Sequence, residues 1–263
     1  MSSPRPRRLA RKSLRHDGLE FSYLIGGEGE QTILALHDHA GSAVDWEPAL
    51  LLLQDRFRVI ALDLRGHGET GRGGQHDIIR YLGDLSALLE ATETERAVLI
   101  GAGWGGVIAP LFAAAQTDRV TSLVVAGAGP EFAGNSEALA TASGTFPTRR
   151  ELEDALGERT ASLDEQIRHV TAGWTLAFSV SELLESEKVL QGDHRASWHA
   201  TWCPLLIIRQ EGDELEESAE EMQTRRPNTT IAVLPAPLNG ETRIDLRSRA
   251  ESLANLIADH VAI

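Results

Sequence analysis

The chain has 263 residues, 42% of them hydrophobic and 24% charged, with a formal net charge of −14. That length supports one large core, since α/β domains of about 250 residues fold as single units. The acidic balance argues against nucleic acid or an anionic membrane as partner, no run approaches the ~18 apolar residues that cross a bilayer, and the single cysteine, Cys203, excludes an internal disulfide.

From the N-terminus, residues 1–12 read as a basic, disordered tail, because every charge in the first fifteen residues is positive. No apolar stretch follows the arginines, so neither a secretory nor a twin-arginine signal is expected, and a reducing cytoplasm is the expected location. Ser13 to Leu24 alternate around Asp17-Gly18, a two-residue hairpin signal. Strand-like runs follow at Thr32–Leu36, Phe57–Leu62, Ala97–Ile100, Val120–Ala126, Leu205–Ile208 and Thr230–Val233. Helical periods fall between most of them, at Trp46–Gln54, His76–Glu90, Gly105–Ala115, Glu214–Thr224 and Leu246–Val261. This alternation predicts a mostly parallel sheet with helices on both faces, and ligands in such sheets bind beyond the carboxyl ends of the strands. The interval 131–202 breaks the rhythm, showing helical patterns such as Arg149–Leu156 and Leu163–Leu176 and no strand run. A structureless stretch of that size would be unusual, so a helical cap is expected there, inserted between core segments 13–130 and 203–263.

Three segments carry a family resemblance. Ile33-Leu34-Ala35-Leu36-His37-Asp38-His39-Ala40-Gly41-Ser42 is similar to the strand and HG loop of the α/β-hydrolase superfamily, a loop that supplies part of the oxyanion hole. Arg58 to Thr70 contains Asp63-Leu64-Arg65-Gly66-His67-Gly68, similar to the superfamily's D-x-R-G-x-G stretch. Val98-Leu99-Ile100-Gly101-Ala102-Gly103-Trp104-Gly105-Gly106 lies where the nucleophile elbow belongs. The resemblance implies an eight-stranded α/β-hydrolase fold. Its elbow resembles that of epoxide hydrolases and haloalkane dehalogenases, which carry Asp before Trp-Gly-Gly where this chain has Gly103.

Glycine enters the strained elbow conformation with little penalty but brings no reactive atom. Leu205 to Asp213 resembles the strand that ends in the triad carboxylate, with Asp213 on that position. The family's histidine belongs between the last strand and the final helix. Leu234 to Arg243 contains none, and His260 lies too far along to replace it. The resemblance is therefore to an atypical member without its triad, of the kind found in natural-product pathways, the bottromycin peptide epimerase type among them.

Asp38 and His39 stand out, since relatives have Gly where Asp38 stands and an ionisable pair there could exchange protons. A solvated loop dipeptide with no role is the competing reading. Asp38, His39 and Asp213 are thus the candidate catalytic residues. Gly103, Trp104, His39 and Gly240 are the candidate ligand-binding residues, the Trp104 N–H being expected in the oxyanion hole at a helix N-terminus. His37 and His67 are expected to be structural, and His169, His194 and His199 to lie on the surface or pack. No histidine pair has the spacing of H-E-x-x-H, so neither metal nor other cofactor is expected. The expected function is a non-hydrolytic reaction (epimerisation, cyclisation, isomerisation or elimination) on a small molecule or short peptide. The alternatives are a binding protein or regulator without activity, and a weak ester or epoxide hydrolase using water activated by His39 or Asp213. Nothing in the sequence fixes the oligomeric state.

Overall fold

The computed structural model describes residues 8–134, 136–236 and 243–262. Its centre is a sheet of eight strands: β1 (Ala10–His16), β2 (Leu19–Gly26), β3 (Thr32–Leu36), β4 (Arg58–Leu62), β5 (Ala97–Ala102), β6 (Val120–Ala126), β7 (Leu205–Gln210) and β8 (Thr229–Leu234). Their order across the sheet is β1-β2-β4-β3-β5-β6-β7-β8. Strands β3 to β8 pair in parallel, while β1 pairs antiparallel with β2, and β2 with β4.

The β1–β2 turn falls on Asp17-Gly18, both at positive φ (49° and 76°), the backbone a tight hairpin of this hand demands. The hairpin extends further than its alternation suggested, and this corrects the tail boundary. Ala10 to Lys12 pair with Tyr23 to Ile25, and Leu9 is already buried. Arg11 explains why a basic segment is ordered: its guanidinium donates to the buried Asp63 carboxylate at 2.7 Å and to Ser22 Oγ at 2.5 Å.

Helices α1 (Glu47–Leu53), α2 (Ile78–Ala91), α3 (Trp104–Ala115), α4 (Glu216–Arg225) and α5 (Ala250–Val261) flank the sheet. Side chains alternate across each strand, so the sheet has two cores. Leu34, Leu36, Leu99, Leu205 and Ile207 face Leu85 of α2, Val107 of α3 and Met222 of α4. Ile33, Ala35, Val98, Ile100, Leu206 and Ile208 face Leu50 of α1 and Leu253 and Ile257 of α5. Helix α5 starts four residues later than its apolar period, because the Asp245 carboxylate accepts from Arg247 N–H at 3.0 Å and Ser248 N–H at 3.3 Å and ties off a turn there.

The insert after β6 is not all helical. It holds helices Arg149–Leu156, Val180–Leu190 and Arg195–Ala200, but Ile167–Val170 and Gly173–Leu176 form an antiparallel hairpin where a helical period was read. Leu163, Ile167, Val170 and Trp174 do recur at helical spacing. A distant partner overrides it: Phe146 N–H donates to Trp174 C=O at 2.8 Å, and Trp174 N–H to Phe146 C=O at 2.7 Å. The insert has its own apolar cluster, with Leu139, Leu152, Leu163, Leu176 and Leu183, and it reaches the core through Ala40 of the β3 loop.

Candidate active site

Parallel strands end on one edge, so the loops after β3, β4, β5 and β6 meet there. The sharpest bend is at Gly103, between β5 and α3, with φ 44° and ψ −110°. Its N–H donates to Ala126 C=O at 2.9 Å, fixing the bend against β6. Residue 103 offers bare backbone at this apex.

The space in front of it is filled from another loop. Asp38, just beyond β3, directs its carboxylate at the bend. Asp38 Oδ1 accepts from the Trp104 N–H at 2.8 Å and from the His39 N–H at 2.6 Å. These are the two backbone donors that the resemblance places in the oxyanion hole, and a carboxylate oxygen of the protein occupies both. Asp38 Oδ2 accepts from Arg243 Nε at 2.7 Å, and Arg243 Nη2 also donates to His39 C=O at 2.8 Å. Burial alone would push the Asp38 pKa up. The Arg243 charge, the Trp104 N–H and His39 outweigh it and hold the carboxyl below its ordinary range. Its negative end also faces the N-terminus of α3, where a carboxylate is favoured.

His39 is buried and stacks on Trp104, ring centroids 4.3 Å apart and 9° from parallel. Its Nδ1 lies 3.1 Å from Glu187 Oε1, on the insert helix Val180–Leu190. Glu187 is itself fixed by Ser136, whose hydroxyl donates at 2.6 Å and whose N–H donates at 3.1 Å. Burial raises the Glu187 pKa, but His39 and Ser136 more than offset this and keep the carboxylate ionised. His39 Nε2 is buried with no hydrogen-bond partner among the described residues. An imidazole oriented through one nitrogen and unpartnered at the other is the arrangement of a general acid–base group.

Asp38, His39, Trp104, Phe132, Glu187 and Arg243 all line one cavity of about 710 Å³. The structure thus brings together four of the residues singled out in the sequence: Asp38, His39, Gly103 and Trp104. It leaves Asp213 apart. The Asp213 carboxylate accepts from Gln210 N–H at 2.7 Å and Leu215 N–H at 3.1 Å, closing its own turn after β7. Among the described residues no hydrogen bond or ion pair given for Asp213 joins it to His39, and it does not line the cavity that holds Asp38 and His39. Gly240 lies outside the described residues.

Glu187, Ser136, Phe132 and Arg243 were not found by sequence. Glu187 belongs to an ordinary amphipathic helix and gains meaning only from what it meets. Arg243 had a signal: it is the charged residue at the end of the interval searched for a histidine.

Other histidines serve the framework. His37 Nδ1 donates to Asp38 C=O at 2.7 Å and its Nε2 accepts from Leu64 N–H at 3.0 Å, which holds the Asp38 loop in place. His67 is buried, its Nδ1 donating to Arg65 C=O at 3.0 Å; burial, with His37 and His39 beside it, pushes its pKa well below the ordinary range. His260 Nε2 bonds Ser122 Oγ at 2.8 Å at the far end of α5. His194 Nε2 donates to Leu190 C=O at 2.6 Å, and His169 is exposed beside Trp174. Among the described residues no three His, Cys, Asp or Glu side chains cluster as a metal site, and no helix is long and apolar enough to cross a membrane.

Comparison with known proteins agrees with the fold. Mouse epoxide hydrolase 4 is 32% identical over 116 residues, which is 43% of this chain and 32% of the relative. This chain therefore spans about a third of that enzyme's length. The 2-(acetamidomethylene)succinate hydrolase of Mesorhizobium japonicum is 24% identical over 246 residues, covering 86% of this chain and 87% of the relative. Among solved structures, E-2-(acetamidomethylene)succinate hydrolase superposes with a TM-score of 0.80 at 21% identity, over 97% of this chain and all of that one. A thioesterase domain from the curacin biosynthetic pathway superposes with a TM-score of 0.74 at 15% identity, over 96% of this chain. The profile of the α/β hydrolase fold family matches residues 31–202. By strand order, loop placement and profile, the chain belongs to the α/β hydrolase fold family.

Proposed function

We propose that this chain is an atypical family member that hydrolyses a small electrophile, an epoxide ahead of an ester, with His39 as its acid–base group. One observation carries the reading: His39, a residue of the cavity at the bend, meets Glu187 through Nδ1 and keeps a buried Nε2 without a hydrogen-bond partner among the described residues. The interval after β8 has no histidine, so a base delivered from the β3 loop stands in for it. Ester substrates fit less well, because Asp38 Oδ1 fills the two N–H donors that an ester's developing oxyanion needs. An epoxide opens without them. The insert 131–202 acts as the cap, since it supplies Phe132, Ser136 and Glu187. The core segments 13–130 and 203–263 supply the rest, and the enzyme works without a cofactor on a small, soluble substrate.

The test is turnover of styrene oxide and of aryl esters. Diol formation should exceed ester cleavage, and His39→Ala should lower it by about 100-fold or more, the usual worth of a positioned acid–base group. Glu187→Gln should lower kcat with little change in KM and displace the pH profile, while Glu187→Asp recovers part of the loss. Turnover unaffected by His39→Ala would refute the reading.

A second reading, a non-hydrolytic epimerase, isomerase, cyclase or lyase, is favoured by the occupied oxyanion donors, which block acyl transfer. It predicts proton exchange between a carbon acid and heavy water without net addition of water.

A further inference from the structure

A second cavity, of about 700 Å³, shares no lining residue with the one at the bend. It lies on the seam between core and insert. The core side brings Arg11 of β1 and Asp63, Glu69 and Arg72 from the loop after β4. The insert brings Arg168 of its hairpin and the first residues of the helix Val180–Leu190.

The two cavities differ in charge. Five carboxylates and one arginine line the cavity at the bend, whereas here three arginines face two carboxylates. Arg11 takes up both, Asp63 at 2.7 Å and Glu69 at 3.6 Å. Although the chain has a net charge of −14, Arg72 and Arg168 have no carboxylate within ion-pair distance among the described residues. Arg72 donates through Nη1 to Gly66 C=O and through Nη2 to Ala177 C=O at 2.6 Å. Glu182 and Asp63 attract it only from beyond ion-pair distance. Arg168 is exposed and uses Nη1 alone, on Glu165 C=O and on Ile167 C=O, the latter at 3.1 Å. Its Nε and Nη2 meet no acceptor among the described residues. That edge of a guanidinium can hold an oxyanion through two parallel hydrogen bonds.

We propose that this cavity is a second binding site, for a small organic anion: a carboxylate or phosphate on an apolar body. The volume is that of an organic ligand, and Val44, Leu176 and Phe178 supply apolar wall. Ser42, 4% exposed, also lines the cavity, and its Oγ has no hydrogen-bond partner among the described residues. A buried hydroxyl in that state normally meets a water or a ligand. Val180 and Ser181 add the positive end of the insert helix, which favours negative charge. A purely structural role accounts for Arg72, whose two carbonyl acceptors lie one on each side of the seam. It does not account for Arg168, whose bonds stay within its own turn. The site is independent of the chemistry at His39, and a ligand in it joins insert to core.

Benzoate, phenyl phosphate, benzyl alcohol and benzylamine, similar in body and different in charge, test this on the full chain at equal ionic strength. Calorimetric titration should show an anion binding, and thermal unfolding should show Tm raised by about 5 °C at a hundred times its Kd. The alcohol and the amine should do neither, and comparison of benzoate with phenyl phosphate tells which oxyanion the site takes. Arg168→Gln keeps the backbone pairing of the hairpin, so Tm without probe should hold while the anion binds about 10-fold more weakly or worse. Arg168→Lys should recover part of the loss, since lysine keeps the charge without the planar fork. Equal binding by benzyl alcohol overturns the proposal. So does anion binding unchanged in Arg168→Gln, which places the anion elsewhere, and so does a lack of binding by both anions at millimolar concentration.

Discussion

Gly103 and Asp38 share one volume, which makes their substitutions interdependent. Gly103→Ser introduces a Cβ into a backbone conformation that costs about 1–3 kcal/mol for such a residue, and it collides with Asp38. Adding Asp38→Gly removes the collision and leaves the backbone strain. Urea unfolding of the four proteins should show Gly103→Ser alone as the least stable. The double-mutant cycle should give a coupling of about 0.5–3 kcal/mol, and simple additivity would mean that the carboxylate is not in that space. His67 makes a separate prediction. Its folded pKa is depressed by burial and by the neighbouring imidazoles, so the unfolded chain binds the proton first. The associated stability is present above the unfolded pKa of about 6.5 and is lost as pH falls below it, by up to about 1.4 kcal/mol per pH unit. His260, also depressed by burial, has the same sign. His67→Gln should flatten the stability curve below the unfolded pKa of about 6.5, and chemical denaturation across the acid range measures it. In the carboxylate range Asp38 adds to the loss, because its lowered pKa ties stability to the ionised form.

At the level of elements, the insert helix Val180–Leu190 places Glu187 on His39, and a buried polar cluster seats that helix on α2. Tyr81 Oη bonds Ser186 Oγ at 2.8 Å, while His76 Nδ1 lies 3.1 Å from Ser186 Oγ and 3.2 Å from Tyr81 Oη. Burial raises the Tyr81 pKa, with the Ser186 bond opposing, so the phenol stays neutral. Tyr81→Phe removes one member and leaves the others underpaired. It should lower stability by about 1–2 kcal/mol in thermal unfolding. If the helix shifts as a result, kcat falls with it although Tyr81 does not line the cavity. Most elements were legible because strands β3 to β7 bury β-branched or leucine-rich runs and helices such as α2 and α5 keep one apolar stripe. The hairpin Ile167–Leu176 was not, since its spacing satisfies both periods and a remote backbone partner, Phe146, decides between them.

For the molecule as a whole, the acidic balance extends to the mouth of the site. Asp38, Glu131, Glu187, Asp193 and Glu214 line the cavity with Arg243, and Arg195 pairs with Glu131 and Asp193 at its rim. Neutral or cationic substrates should therefore be preferred to anionic ones of equal size. The preference should weaken with salt, since the screening length drops from about 30 Å at 0.01 M to about 3 Å at 1 M. Measuring KM for neutral, ammonium-bearing and carboxylate-bearing epoxides at both ionic strengths checks this. A KM order independent of salt would mean that the carboxylates at the mouth do not select the substrate.

The sequence by itself determined the parallel sheet, its flanking helices, the bend at Gly103 and the interest of Asp38 and His39. The sheet and helices follow from local periodicity, while the bend and the interest of Asp38 and His39 follow from the resemblance of short segments to the family's motifs. Tertiary structure alone decided what those two residues meet. Asp38 meets Trp104 and Arg243 across 66 and 205 residues, and His39 meets Ser136, the partner of Glu187, across 97. Only chain closure brings such groups within hydrogen-bond reach. Asp213, by contrast, caps its own turn through N–H groups two and three residues away.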